Sequence, residues 1–282
     1  MRIHRRTLLA LALATGLTAP AMAVAQAEDI KIGVLATFEG AFTVLGEDGE
    51  RGALTALDEV GGMAAGNKIV VVRGSTDGAQ WMAGLGTYAY NEKGYKNVAV
   101  VAEDYSFPYT QVFGFMAEFC KAGGKVPSKS WVPIGNKDYS SVIAAIPDDV
   151  DAVYVALGGA DAVNFLTQFQ QSGGEAPLIG GSITVDQTVL TSKGRLRDVL
   201  IGPPAAGPTA DTNDTPEWNA FVEAYKKQEG AFPSPSLFAH AYYIGMKAAL
   251  LALEETGGKL DDDGANFRKV LSSLSFETPT GK

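Results

Sequence analysis

The 282-residue chain carries 23 basic against 32 acidic residues, two histidines and one cysteine, for a formal net charge of −9. That balance argues against nucleic acid and anionic lipid surfaces as partners, and a single thiol excludes an intramolecular disulfide. With 46% hydrophobic residues the chain can bury a sizeable core, and its length suits two modest α/β domains.

Residues 1–27 place Arg2, Arg5 and Arg6 before the apolar run Leu8–Leu17, then two small-x-small sites, Ala21-Met22-Ala23 and Ala25-Gln26-Ala27. A basic start, a short apolar middle and a small-residue exit predict a secretory signal peptide cleaved after Ala27. The run between Arg6 and Thr18 is far shorter than a membrane-spanning helix requires, and Arg5-Arg6 also fits a twin-arginine export signal. No cysteine near the cleavage site could take a lipid, so a soluble periplasmic protein is expected. Removing the leader takes away three arginines and no acid, which leaves the remainder more acidic still.

KIGVLATF (31–38) then reads as a strand, Leu45–Val60 as a helix and KIVVVR (68–73) as the next strand. After Gly74-Ser75-Thr76-Asp77-Gly78 come a helix over about 79–93, a strand at 97–102, a helix over 110–122 and the strand KVPSKSWVPI (125–134). A short helix around 139–146, a strand at 151–157 and a helix at 161–172 follow, with Ala176–Gly180 and Asp198–Ile201 as further strand candidates. In DAVYVALGGADAVNFL (151–166) a continuous apolar run stops at Gly158-Gly159 and resumes with helical spacing. That pattern predicts a buried parallel strand turning tightly into a helix, with backbone N–H groups pointed at a ligand. Strands alternating with helices predict an α/β protein with a doubly wound parallel sheet.

The C-terminal third is helical. Thr215-Pro216-Glu217 is a helix start, an N-cap hydroxyl followed by proline at the first helical position. Trp218, Phe221, Val222 and Tyr225 fall on one face of that helix. A Pro/Ser linker, Phe232–Ser236, precedes a helix to about Glu255, and Asp261-Asp262-Asp263 opens another. Cys120 shares a helical face with Val112, Met116 and Phe119, which predicts a packed, inert core thiol.

Four stretches together resemble the periplasmic solute-binding proteins of branched-chain amino acid-type (Leu/Ile/Val-binding-like) ABC transporters, which have the type I periplasmic-binding fold. They are IKIGVLATFEGAFTVLGEDGERGALTALDEVGG (30–62), VAVVAEDYSFPYTQVFGFMAEFCKAGGKV (98–126), DAVYVALGGADAVNFLTQFQQSGG (151–174) and, together, DTPEWNAFVEAYKK and FPSPSLFAHAYYIGMKAALLALEE (214–227, 232–255). The resemblance implies two lobes of doubly wound parallel sheet: 28–96 in an incomplete first lobe, 97–204 in the second, and 205–282 as helices returning to the first. Measured against the family's order, about two βα units are missing after Arg73, roughly 60 residues at roughly 30 per unit. The chain also stops at Phe276–Lys282, where relatives continue into closing strands. An exposed edge on the first-lobe sheet is therefore expected, with solute binding much weaker than in a complete homologue or lost.

By the same resemblance, the lobes close on a solute at the carboxyl ends of the strands, with no bond chemistry and no cofactor. The partners implied are the small-molecule solute and an ABC permease in the inner membrane, with no nucleic acid, and the chain is expected to be a monomer. Phe42 and Leu45 stand where relatives place side chains against the apolar part of the ligand, although Phe42 could equally cover the end of the sheet. Tyr105, Phe107 and Tyr109 crowd the next strand end, with Phe107 near the family's ligand-stacking aromatic and Pro108 replacing the usual glycine. Gly159, Ala160 and Asp161 bring amide N–H groups to a helix start, where Asp161 could instead act as a simple cap. Ser182 and Thr184 close the next strand; leucine-type binders carry a glutamate near Ser182, and a serine cannot hold an ammonium by charge. That favours an apolar or aromatic carboxylate or an amide over an amino acid, with Asp161 as the nearby acid for an ammonium. No lysine or arginine lies in these loops.

An enzyme is the competing class. His240 is the one histidine outside the leader and sits beside Tyr242 and Tyr243, and no H-E-x-x-H, G-x-S-x-G or paired-cysteine pattern occurs. Gly84–Ala89 matches G-x-G-x-x-A but falls inside a predicted helix, where it cannot cradle a dinucleotide. Asp261–Asp263 reads as a solvated helix start. A ligand-sensing domain for a receptor or regulator, or a truncated product without function, remain as alternatives at this level.

Overall fold

A computed structural model describes residues 43–64, 67–68, 78–192, 199–210, 212–262 and 264–281. Phe42, the strand expected at 31–38 and nearly all of the one at 68–73 lie outside these residues. In chain order the elements are α1 (Thr43–Glu59), β1 (Met63–Ala64), β2 (Asn67–Lys68), α2 (Gly78–Trp81), α3 (Leu85–Asn91), β3 (Val98–Glu103), α4 (Ser106–Lys121), β4 (Lys129–Val132) and α5 (Ser140–Ala144). There follow β5 (Ala152–Ala156), α6 (Gly159–Gln171), β6 (Leu178–Gly180) and α7 (Gln187–Leu190), then three longer helices, α8 (Pro216–Tyr225), α9 (Leu237–Glu255) and α10 (Ala265–Ser273).

β3 to β6 form one parallel sheet in the order β4-β3-β5-β6, with Val100 opposite Tyr154 and Val155 opposite Gly180. Every residue of β3 and β5 is buried, which explains their unbroken apolar runs: both faces of a parallel sheet are covered. Val98, Val100, Ala102 and Tyr154 join a core with α2, α3 and α4. Ala99, Val101, Val153 and Val155 face the other way, onto Phe165 and Phe169 of α6. The sheet is thus doubly wound, as the alternation of strands and helices predicted.

Four expectations are corrected. The helix at 79–93 is two helices broken at Gly84, which sits at φ 86°; Glu118 of α4 accepts the Gly84 N–H at 2.9 Å and so caps α3 from outside. α4 begins at Ser106, four residues before the expected start, because Pro108 falls in its first turn, where no N–H is needed. Cys120 is exposed: the sheet-facing arc of α4 is Val112, Phe115 and Phe119, and the roughly 100° per residue of a helix carries position 120 past its edge. Residues 199–201 are a helical turn and bend. Gly202 (φ 94°) and two prolines delay the edge pairing until the Pro204 carbonyl accepts the Gly180 N–H at 2.9 Å.

Trp81, Leu85 and Ala89 share a core with β3, so α2 and α3 pack on the same sheet. α1 and α9 lie against each other and share a second core with α8, where Trp218, Phe221 and Tyr225 are buried. Thr215 caps α8 by accepting the Trp218 N–H at 3.3 Å. Two buried carboxylates fasten the start of α9. Asp48 of α1 accepts the Ser236 N–H at 3.0 Å, the Arg51 guanidinium at 3.0 Å and the Tyr225 hydroxyl. Asp186, beyond β6, accepts the Leu237 N–H at 2.9 Å.

Candidate functional site

Because the four strands are parallel, their carboxyl ends open on one side of the sheet, and four turns meet there: 103–106, 133–139, 157–161 and 181–186. Glu103 closes β3 with no exposed surface, and its Oε1 accepts the Gly158 N–H at 3.1 Å at the start of α6. Its Oε2 has no hydrogen-bond partner among the described residues. Burial pushes the Glu103 carboxyl up to about 8; the Asp161 charge adds to this and the Gly158 N–H opposes it. Asp161 is 1% exposed, and its Oδ2 accepts the Gly135 N–H at 2.6 Å. It therefore ties α6 to the 133–139 turn, and the N-cap of its own helix, Gly158, makes no side-chain capping bond. Burial raises the Asp161 carboxyl as well.

Tyr105 is the N-cap residue of α4, and burial followed by the Glu103 and Asp161 charges raises its hydroxyl. Tyr139, fully buried against Phe165, feels the same two carboxyls, and its hydroxyl has no partner among the described residues. Gly159 takes φ 48° at the first position of α6, and Ala160 is exposed. Thr184 is 1% exposed, with its hydroxyl 2.7 Å from the Val155 carbonyl and 2.8 Å from that of Leu157, so it staples the end of β5. Ser182 is buried and accepts a hydrogen bond from Gln111 Nε2.

Phe107 turns from the strand ends to stack edge-on against Trp81, 5.3 Å between ring centres. Tyr109 is exposed, lies 4.1 Å from the Trp131 ring and donates its hydroxyl to Asp104. Leu45 is buried on α1, one turn before Asp48. The structure thus brings Gly158–Asp161 to Glu103, places Ser182 and Thr184 at the next strand end, and packs Phe107 on Trp81, which lines a cavity together with Ser182. Glu103 was missed in the sequence reading, yet it had a signal: it is the one acid ending the otherwise apolar run VAVVAE.

Beside Ser182 lies a cavity of about 420 Å³ walled by Trp81, Val185, Asp186, Pro208 and Leu237. It is bounded by α2, the 181–187 turn, the 205–210 segment and the start of α9. A larger groove of about 730 Å³ runs along Ile146, Asp148, Gly173 and Ala176, at the amino ends of the strands, opposite to where parallel sheets place ligands.

The buried acids set a pH dependence whose sign follows from their shifts. Glu103 (about 8) and Asp186 (about 7, raised mainly by burial) are both above their unfolded values. Each therefore contributes stability at low pH that is lost as pH rises through its folded value. His240, lowered to about 4 by burial, works the opposite way: its contribution is present above its unfolded value and lost as pH falls through 4. The window free of His240 runs from about pH 6.5 to pH 8.5, where the melting temperature is expected to fall. Glu103→Gln should flatten that decline; an unchanged slope in the variant would refute the assignment.

A family model described as periplasmic binding protein matches residues 70–282. The Leu/Ile/Val-binding protein homolog 6 of Brucella melitensis is 27% identical over 192 residues, 67% of this chain and 49% of its own length. The chain spans about half the length of the curated relatives it matches. An ABC transporter substrate-binding protein from Sphaerobacter thermophilus superposes with a TM-score of 0.76 at 25% identity, covering 90% of this chain and 88% of that one. A solute-binding protein of an ABC transporter from Rhodopseudomonas palustris BisB5, in complex with 3,4-dihydroxybenzoic acid, superposes at 0.78 with 21% identity over 90% and 87% of the two chains.

Proposed function

We propose, from the premise that this chain belongs to the periplasmic binding protein family, that it captures a small organic solute in the periplasm and presents it to an ABC permease. The solute class is amino acid-like, an aromatic or apolar carboxylate, or an amide. The observation that carries the reading is the convergence of Glu103, Gly158–Asp161 and Ser182 at one end of a parallel sheet, beside a cavity of about 420 Å³ bounded by α9. Capture proceeds by closure of the helical layer of α1, α8 and α9 over the strand ends, without bond chemistry. Residues 1–27 act as the export signal. The relatives, one named a Leu/Ile/Val-binding protein homologue and one seen in complex with 3,4-dihydroxybenzoic acid, support both the amino acid and the aromatic acid arms of the solute class.

A binding role is also favoured over an enzymatic one by the placement of His240. It is 3% exposed, packed against Trp218 and Phe221, with Nε2 3.3 Å from the Thr280 hydroxyl. Burial favours its neutral form within this packed aromatic cluster. The test is thermal denaturation of residues 28–282 against branched-chain amino acids, aromatic carboxylates and short amides. A true solute at 100 times its Kd should add roughly 2.7 kcal/mol to stability, and a flat response across the panel would rule out capture by this chain.

A further inference from the structure

We propose that the outer face of α4 is a docking surface for a second copy of this chain, with the two α4 helices lying antiparallel about a two-fold axis. This surface is independent of solute capture, and it replaces the monomer that the family resemblance led one to expect. α4 covers the sheet with Val112, Phe115 and Phe119. The arc it leaves uncovered holds Tyr109, Phe113, Met116, Ala117 and Cys120. Phe113 is 68% exposed and Tyr109 43%, while Met116 is partly buried. Across the three turns from Tyr109 to Cys120 this arc has no charged side chain: Glu118, the one acid of α4, turns away to cap Gly84, and Lys121 comes only at the last position. A helix face that meets only water normally carries charged or polar groups. Tyr109 lies 4.1 Å from the Trp131 ring and donates its hydroxyl to Asp104, so the apolar face continues from the helix onto β4.

The charges at the two ends of this face identify what covers it. Asp104 is exposed just before α4, and Lys121 and Lys125 are exposed at its far end. None of the three is in a salt bridge among the described residues. A strip with an acid at one end and bases at the other matches a copy of itself turned end for end, which is the relation a two-fold axis imposes. Asp104 of each copy then meets the lysines of the other, Tyr109 lies over Cys120, and Phe113 sits beside Met116. Pairing of sheet edges is disfavoured. β4 is an outer strand, but Pro127 and Pro133 flank it and it carries the exposed Lys129, the devices that guard an edge. The contact is therefore made by side chains of α4 and Trp131. The 16 residues of α4 span about 24 Å. A strip of that length and about 20 Å wide buries about 500 Å² a side, near the lower limit for a specific interface, so the dimer is expected to be weak.

Sedimentation velocity of the purified protein from about 1 to 200 μM should show a monomer passing to a dimer, with a Kd on the order of 10–100 μM. Phe113→Asp should weaken association about 30-fold or more and leave a monomer across that range. Ile201→Asp, at a residue 72% exposed elsewhere on the surface, should leave the dimer unchanged. Both side chains lie largely in solvent, so both variants should keep the parent's melting temperature. The arrangement is read with a short bis-maleimide. Tyr109→Cys, which retains Cys120, should cross-link into a covalent dimer, whereas the parent should not, because antiparallel helices hold its two Cys120 thiols about 16 Å apart along the axis. A protein that stays monomeric to about 200 μM overturns the inference and leaves the face to a different partner, such as the permease. A dimer that survives Phe113→Asp, or cross-linking of the parent as readily as of the variant, overturns it as well. Each of these outcomes leaves solute capture standing.

Discussion

Asp48→Ala is expected to lower stability by about 3–5 kcal/mol, the usual cost of removing one partner from a buried charged network. Asp48 has no exposed surface and accepts from three directions: Arg51 on its own helix, the Tyr225 hydroxyl at the end of α8, and the Ser236 N–H at the start of α9. Its loss leaves Arg51, whose side chain is 18% exposed, without its closest acid, and strands a backbone N–H and a phenol. Ser236 in turn accepts the Ala239 N–H at 3.1 Å, so the first turn of α9 loosens with it. At roughly 2–4 °C per kcal/mol for a chain of this size, the melting temperature should drop by about 6–20 °C. Tyr225→Phe, which removes one arm, should cost about 1–2 kcal/mol. A loss below 1 kcal/mol for Asp48→Ala, by urea or heat, would show that the network does not hold the three helices together.

Gly52→Ala is expected to be nearly as damaging, at or above the roughly 3 kcal/mol upper range of overpacking. A methyl added at Gly52 would lie 1.8 Å from the Ala239 carbonyl oxygen and 2.5 Å from its carbon. Both are main-chain atoms of α9 and cannot rotate away, so the two helices must separate along the contact where Ala53 and Ala56 pack. Gly49→Ala, one turn earlier on α1, is the control: there the methyl meets the Tyr242 ring at 3.0 Å, a side chain that can give way, and the cost should stay near 1 kcal/mol. Equal effects at the two positions, measured by urea unfolding, would mean that backbone contact does not set the α1–α9 spacing.

The elements that the sequence reading placed well are those whose signal is local. β3 and β5 announce themselves as unbroken apolar runs because both faces of a parallel strand are buried. α8 declares its start with Thr215-Pro216 because a cap and a first-turn proline are decided within four residues. Where the reading slipped, a distant residue decided the outcome. Cys120 has a helical neighbourhood that looks apolar from within α4, and only the position of the sheet shows which arc is covered. Gly84 breaks a plausible helix because Glu118, 34 residues away, takes its N–H. Residues 199–201 are apolar enough for a strand, but the glycine and prolines after them postpone pairing to Pro204.

The candidate site divides along the same line. Gly158–Asp161 could be picked out because a glycine turn between an apolar strand and a helix is a contiguous pattern. What Asp161 binds could not: its partner, the Gly135 N–H, is 26 residues away, and Glu103 meets Gly158 across 55. By itself the sequence determined the fold class and marked the glycine turn around which the candidate site is built, because periodicity and turn chemistry act over a few residues. Only the tertiary structure decided that two acids share that end with no basic partner among the described residues, and that Asp48 and Ser236, 188 residues apart, are joined. Burial and charge are properties of neighbourhoods in space, and a chain pattern carries them only where those neighbours are also neighbours in sequence.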